Sequence, residues 1–195
     1  MSLDDLKDQT RAVGRKYRNR EERARRLFIE ERPVALTTER EREFEIKKAV
    51  SSYFGISYSS VSFCGSAQLG FSIHKNTLFQ PAVSDLDVAC VDMRLFQAAW
   101  IDAITVTRAF TDLTPFGTRG QRDIDLFKSQ ILRRGMIRVD AMPQSTISRD
   151  WSYFEGQLSR RHAAVFRRIT FAIYMNEYAF CWKQDSVLSA LLGDG

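Results

Sequence analysis

Apolar positions change their spacing several times along the chain, and each change predicts an element. Over residues 3–31 they are sparse. Leu3, Leu6, Val13, Tyr17, Leu27 and Phe28 make a thin stripe through a charged background. That pattern predicts a helix lying across a larger body, ended by Pro33. Thr38 and Glu41 have capping-box spacing. A second helix is expected after them, carrying Phe44, Ile46, Ala49, Val50 and Phe54 and closed by Gly55. The period then shortens. VSFC (61–64) and LDVACV (86–91) read as short buried strands, the first stopped by Gly65 and Ser66. Helical spacing returns over 94–113, despite a β-prone ITVT, and over 121–134, where Gly135 closes the helix. MIRVDAM (136–142) alternates and reads as a third strand. Residues 159–191 read as one or two final helices that include the apolar stretch FAIYMNEYAF.

Strands separated by helices predict an α/β or α+β fold: a small twisted mixed sheet flanked by N- and C-terminal helices. The expected organisation is a helical segment over 1–58, a core over 59–145 and a helical segment over 146–195, forming one compact domain. The 195 residues suffice for one core, and fourteen Phe and three Trp load it with aromatic packing.

Charge adds a bias toward anionic partners. The formal net charge is +5, and nine Lys/Arg face four Glu between Arg11 and Arg32. That arm reads either as a solvated helix face or as a basic surface beside a phosphate-rich ligand. Three separated cysteines, Cys64, Cys90 and Cys181, argue against a zinc site and a disulfide framework. The polar start MSLDDLKDQ does not read as a signal peptide, and no apolar run is long enough to span a membrane. A cytoplasmic protein is expected.

The candidate chemistry centres on SDLD, residues 84–87. On a strand, residues two apart share a face, so Asp85 and Asp87 would project together. Two carboxylates so placed repel unless a cation lies between them, and Mg²⁺ prefers oxygen ligands shared with phosphates. Upstream, a strand running into Gly65-Ser66 has the form of a phosphate-binding turn, with a glycine for close approach and free N–H groups. Downstream, Asp140 would sit mid-strand among apolar neighbours, a costly place for an unpaired carboxylate. Beside LDVACV it would complete a three-carboxylate, two-metal site. A rival pair, Asp123 and Asp125, lies in a segment with helical period. There, residues two apart diverge by roughly 200° and cannot easily share a metal.

The order strand, Gly-Ser, D-x-D on the next strand, single Asp on a later strand resembles the nucleotidyltransferase superfamily typified by DNA polymerase β. The resemblance covers roughly residues 59–142. It implies that Gly65 and Ser66 hold a triphosphate, and that Asp85, Asp87 and Asp140 bind two Mg²⁺ (or Mn²⁺) ions. It further implies that Asp140 helps deprotonate an acceptor hydroxyl and that Lys183 binds nucleotide phosphate. Two departures stand out. The eighteen residues Ala67–Ser84 form a longer connection than minimal antitoxin members carry, and Ala67 follows the Gly-Ser pair where many relatives have a basic or aromatic residue. The chain is too short for the large helical domain of cyclic-oligonucleotide synthases. It is similar instead to a minimal stand-alone bacterial member, with antiphage enzymes of the Hailong type as the parallel.

The expected function is therefore Mg²⁺-dependent nucleotidyl transfer from an NTP or dNTP to a hydroxyl acceptor. The acceptor could be a nucleotide, a nucleic-acid end or a protein hydroxyl, as in antitoxin-type enzymes. The product would be an oligonucleotide or cyclic signal in antiphage defence, read by a partner effector. The alternative is a nucleotide- or nucleic-acid-binding module without turnover. Other polar and aromatic residues read more plainly. His74 and Lys75 are loop residues able to touch phosphate, His162 is a surface or loop polar residue, and Arg160, Arg161, Arg167 and Arg168 are split between solvent and ligand. Tyr174, Tyr178, Phe180 and Trp182 read as core aromatics, with base stacking as the other use.

Overall fold

The computed structural model describes residues 1–193, with the side chains of 118–120 outside the description. Its fold is α+β: helices around a four-stranded mixed sheet, with a separate two-stranded hairpin.

The charged N-terminal stretch is two helices rather than one. Helix α1 (Leu3–Lys16) starts at Ser2 with a full capping box, and α2 (Arg20–Arg25) restarts after Asn19. The Asn19 side chain accepts the N–H groups of Glu21 and Glu22, which favours a break there over a continuous helix. A π-helical turn, Arg26–Glu30, carries Leu27 and Phe28 into the core. Helix α3 (Arg40–Phe54) begins two residues after Thr38 without a side-chain cap, so the expected capping box does not form; its Gly55 cap is left-handed as expected.

Strand β1 (Val61–Cys64) leads into the short helix α4 (Gly65–Leu69). The connection after it is a hairpin, β2 (Phe71–Ser72) and β3 (Thr77–Leu78), turning through Asn76 at φ 55°. Strand β4 (Leu86–Val91) is central, and apart from Asp87 and the partly buried Val91 its residues are buried. Helix α5 (Met93–Val106) is capped by Asp92 and stops short of residue 113. Arg108, Ala109 and Phe110, all with left-handed φ, cannot continue it. Helix α6 (Gly120–Arg134) holds the rival acids Asp123 and Asp125 on helical backbone, as expected; Asp125 accepts a bond from Gln121.

The last third corrects the expected topology. Strand β5 is only Met136–Arg138; Val139–Ala141 coils into a 3₁₀ turn that carries Asp140 off the sheet. Helix α7 (Thr146–Arg161) starts earlier than expected, and the stretch read as helical contains β6 (Ile169–Tyr174) before α8 (Glu177–Leu192). The sheet order is β1-β4-β6-β5. Strand β6, parallel to β4, therefore stands between LDVACV and the strand preceding Asp140. Residues 146–195 supply a central strand, so they are not an added helical segment.

The two sheet faces have different covers. Val88, Phe171, Ile173 and Ile137 pack with Ile46, Val50, Ala99, Phe127 and Leu158 from α3, α5, α6 and α7. Cys64, Ala89, Tyr174 and Met136 pack on the other face with Phe28, Phe180 and Leu188. Asp87, Thr170 and Arg138 belong to this second face by strand alternation, beyond the edge of its apolar cover. No helix among the described residues is long and apolar enough to cross a membrane.

Candidate active site

At that edge lies a cleft of about 580 Å³. Its floor is built by strand register. Cys64 pairs with Asp87 across the antiparallel β1–β4 ladder, and Asp87 pairs with Thr170 across the parallel β4–β6 ladder. Asp85, just before β4, shares the face of Asp87, and both line the cleft. The D-x-D pair thus has the common face that its strand position predicts.

Gly65 and Ser66 line the same cleft. Gly65 has φ +68°, and a Cβ there would overlap the Asp87 carboxylate. Both the left-handed backbone and the close approach require glycine at this position. Ser66 follows in the first turn of α4, whose five residues are too few for an appreciable dipole but leave N–H groups without intrahelical partners. The long connection arches over these residues, so that Ser72, His74, Lys75 and Thr77 line the cleft as well.

Asp87 lies on the cleft floor, lined by protein on several sides, and its side chain is open to solvent. Desolvation raises its carboxyl above the usual range and Asp85 adds repulsion, while the Thr170 hydroxyl, Arg138 and Lys183 pull the other way. Thr170 donates to Asp87 Oδ1 at 2.9 Å. Lys183, from α8, lines the cleft half-buried; burial and the nearby Arg134 hold its ammonium below the usual lysine value.

Three arginines are fixed by acids. Arg167 spans both oxygens of Asp85 at 3.0 and 2.7 Å. Arg168 donates to Glu155 of α7 at 2.9 Å, and the other oxygen of this buried glutamate accepts the Phe171 N–H at 3.1 Å. Arg138 chelates Asp140, with Nε 2.9 Å from Oδ1. With Lys75 and Lys183, these guanidinium groups give the cleft five cationic residues against the two acids Asp85 and Asp87. Such a lining suits a polyanion, and it suits a phosphate chain better than a neutral ligand.

The structure brings together Gly65, Ser66, Asp85, Asp87 and Lys183. It does not bring in Asp140. That residue is neither mid-strand nor buried; it sits on the 3₁₀ turn, is held by Arg138, and lies outside the cleft lining. Had β5 continued in register, Asp140 would face Thr170. Glu155 takes the Phe171 N–H at that edge instead, and the chain turns away. Arg160 and Arg161 close α7 outside the cleft lining, and His162 is buried behind them.

Two cleft residues were not anticipated from sequence. Thr170 sits on β6, next to the strand of the acid pair, and Arg138 one strand further out on β5. The signal for Thr170 is ITFAIY, a β-branched and aromatic run directly after Arg167-Arg168, masked by its fusion to the apolar start of α8.

The donor set decides which metal chemistry fits. Among the described residues no three His, Cys, Asp or Glu side chains converge as a metal site. Asp85 and Asp87 suit one Mg²⁺ that takes its other ligands from phosphate and water. The three-acid set expected for two ions is not assembled here. Comparison with protein-family models, with curated proteins and with solved structures finds no match to this chain.

Proposed function

We propose that the cleft binds a nucleoside triphosphate with Mg²⁺ and transfers its nucleotidyl group to a hydroxyl acceptor. The observation that carries this reading is the abutment of Gly65-Ser66 on Asp87, with Asp85 alongside and Lys183 and Arg138 within the same cleft. The left-handed backbone alone would suit a surface turn; the approach of the Asp87 carboxylate to Gly65 is what supports a built site.

In this reading Asp85 and Asp87 hold the ion, which neutralises phosphate charge and orients the leaving group. Arg167 exchanges its grip on Asp85 for the triphosphate; it is well exposed, so the exchange needs no repacking. Ser66, Lys75 and Lys183 bind phosphate oxygens. The acceptor oxygen attacks the α-phosphorus, the bond to the bridging oxygen breaks, and pyrophosphate leaves. The hydroxyl proton passes to solvent, because Asp140, the acid expected to receive it, stands outside the cleft lining. Catalysis by such a site is mostly positioning and charge neutralisation. A cytoplasmic role making an oligonucleotide or cyclic signal in antiphage defence extends the same resemblance.

One observation favours a second reading, nucleotide binding without turnover. Thr170 occupies the position on β6 that faces Asp87, where a third carboxylate would complete a two-metal set. One experiment separates the two. The protein is incubated with Mg²⁺ or Mn²⁺ and each labelled NTP and dNTP, with and without nucleic-acid ends. Linear, cyclic and protein-attached products are resolved, and thermal stabilisation by each nucleotide is measured in parallel. A product supports transfer. Stabilisation without product supports the binding module, and the absence of both product and stabilisation overturns both readings.

A further inference from the structure

The proposed chemistry leaves the basic N-terminal arm without a role. Two features of that arm meet at one buried acid. Asp185 of α8 is held by Arg23 and, at 3.6 Å, by Arg20. On one side of this junction, Arg11, Arg15, Arg18 and Arg23 line a groove of about 550 Å³ where α1 meets the end of α8. Arg11 is paired with Asp8 and Arg23 with Asp185. Arg15 and Arg18 are exposed and have no acidic partner among the described residues.

On the other side, Tyr178 and Trp182 lie one turn apart on α8 with their rings stacked, 5.9 Å between centroids and 27° between planes. The Arg20 guanidinium sits 5.2 Å from the Trp182 ring. Tyr178 is 59% exposed and Trp182 45% exposed. These rings are the two members of the C-terminal aromatic group that do not enter the core; Tyr174 and Phe180 do.

We propose that this surface binds single-stranded nucleic acid, with phosphodiesters in the arginine groove and a base extending the Arg20–Trp182–Tyr178 column. Guanidinium forks match phosphate geometry, and an exposed aromatic face stacks on any unpaired base. A duplex keeps its bases stacked internally and offers the column nothing. An anionic membrane is the poorer match, because the rings lie on each other rather than splayed as an apolar wedge. Their surroundings are also charged, with Arg25 bonded to Glu177 beside Tyr178. Lys183 follows Trp182 and lines the cleft, so a strand on this surface runs beside the proposed transfer site. That last link rests on the function proposed above; the binding itself does not.

The test is fluorescence anisotropy with a 5′-labelled oligothymidylate of about twenty nucleotides, longer than a site of this kind covers. It is run in EDTA without nucleotide, so no turnover enters. Wild-type protein is expected to bind, with affinity falling steeply as KCl rises. The double variant Arg15→Gln/Arg18→Gln is expected to bind roughly tenfold more weakly, with the logarithmic salt slope reduced by about 1.4. Tyr178→Ala is expected to lose about tenfold with the salt slope kept, while Tyr178→Phe binds as wild type. These side chains are exposed, so circular dichroism and melting temperature should not change. The proposal is overturned if wild type does not bind the oligonucleotide at low salt, or if both variants bind like wild type. It is also overturned if phosphatidylserine vesicles bind as tightly and lose the same factor on Tyr178→Ala. Absence of any nucleotidyl product would leave the binding result standing, and the converse holds.

Discussion

Thr170 and Asp87 are cross-strand partners at the parallel junction of β4 and β6, joined by a 2.9 Å bond from hydroxyl to carboxylate. The pairing keeps a neutral donor where a third acid would multiply the repulsion already present between Asp85 and Asp87. Thr170→Asp should therefore destabilise the metal-free protein by about 1 kcal/mol or more, a fall of roughly 2–4 °C in Tm. Added Mg²⁺ or Mn²⁺ should restore that loss, since three carboxylates bind a divalent ion more tightly than two. Scanning calorimetry with and without divalent ion checks this. A variant whose Tm ignores the metal would show that position 170 does not face the ion site.

Gly65→Ala probes the close approach on the other side of Asp87. The substitution meets a left-handed φ, costing roughly 1–2 kcal/mol, and adds an overlap with the carboxylate. A loss of about 2–4 kcal/mol is expected, or roughly 4–16 °C in Tm. Nucleotide-induced stabilisation should disappear with it, because Asp87 must move. Gly55→Ala is the control: it has a similar φ of +63° but open space around it, so only the backbone strain should register.

Much of this geometry was readable before the structure, and the unread part has one physical source. β1, β4, the Gly65 turn and the shared face of Asp85 and Asp87 follow from short apolar runs bounded by turn residues. So does the exclusion of Asp123 and Asp125, which their helical period places on α6. Strand β6 is hidden in the sequence because ITFAIY runs on into the apolar start of α8; only Met175 and Asn176, which caps that helix, divide them. Without β6, β5 falls beside β4 and Asp140 falls into the site. Strand order is a property of tertiary packing. No local pattern in MIRVDAM records that Glu155, on a different helix, takes the edge N–H of β6 and ends the pairing at Arg138. The distant Arg23–Asp185 pair was invisible for the same reason.

Asp87→Asn separates function from stability. The side chain's folded-state proton affinity is raised, chiefly by desolvation. A raised carboxyl favours the fold below the ordinary value and loses that contribution as pH climbs through the raised one, so at neutral pH the charge opposes folding. The asparagine can still accept the Thr170 hydroxyl through its amide oxygen. In EDTA the variant should melt above wild type at pH 7, with the gap closing as pH falls toward the ordinary carboxylate range. Any nucleotidyl product should fall by at least about 100-fold. Asp123→Asn, on α6, should change neither readout. Activity lost from Asp123→Asn and kept in Asp87→Asn would move the site to α6.

Lys183 gives the pH dependence of ligand binding. Its ammonium is held below the usual lysine value, mainly by desolvation and then by Arg134, with Asp87 and Cys64 opposing. The unfolded chain therefore binds the proton more readily than the fold does. Stability contributed by this group is present above the ordinary value of 10.5 and lost as pH falls through the depressed one, so its charge opposes folding at neutral pH. Lys183→Met keeps the length of the stem and removes the charge, and should leave Tm equal or higher. Triphosphate needs the charged form. Nucleotide affinity in wild type should fall as pH rises toward the depressed value, before ordinary lysines titrate. In Lys183→Met that fall should be absent, and affinity at neutral pH should be lower by roughly tenfold, the loss of one charge-assisted bond of about 1.5 kcal/mol. Isothermal titration across pH with both proteins decides it. The same alkaline fall in both would assign the titration to another group and remove Lys183 from the phosphate site.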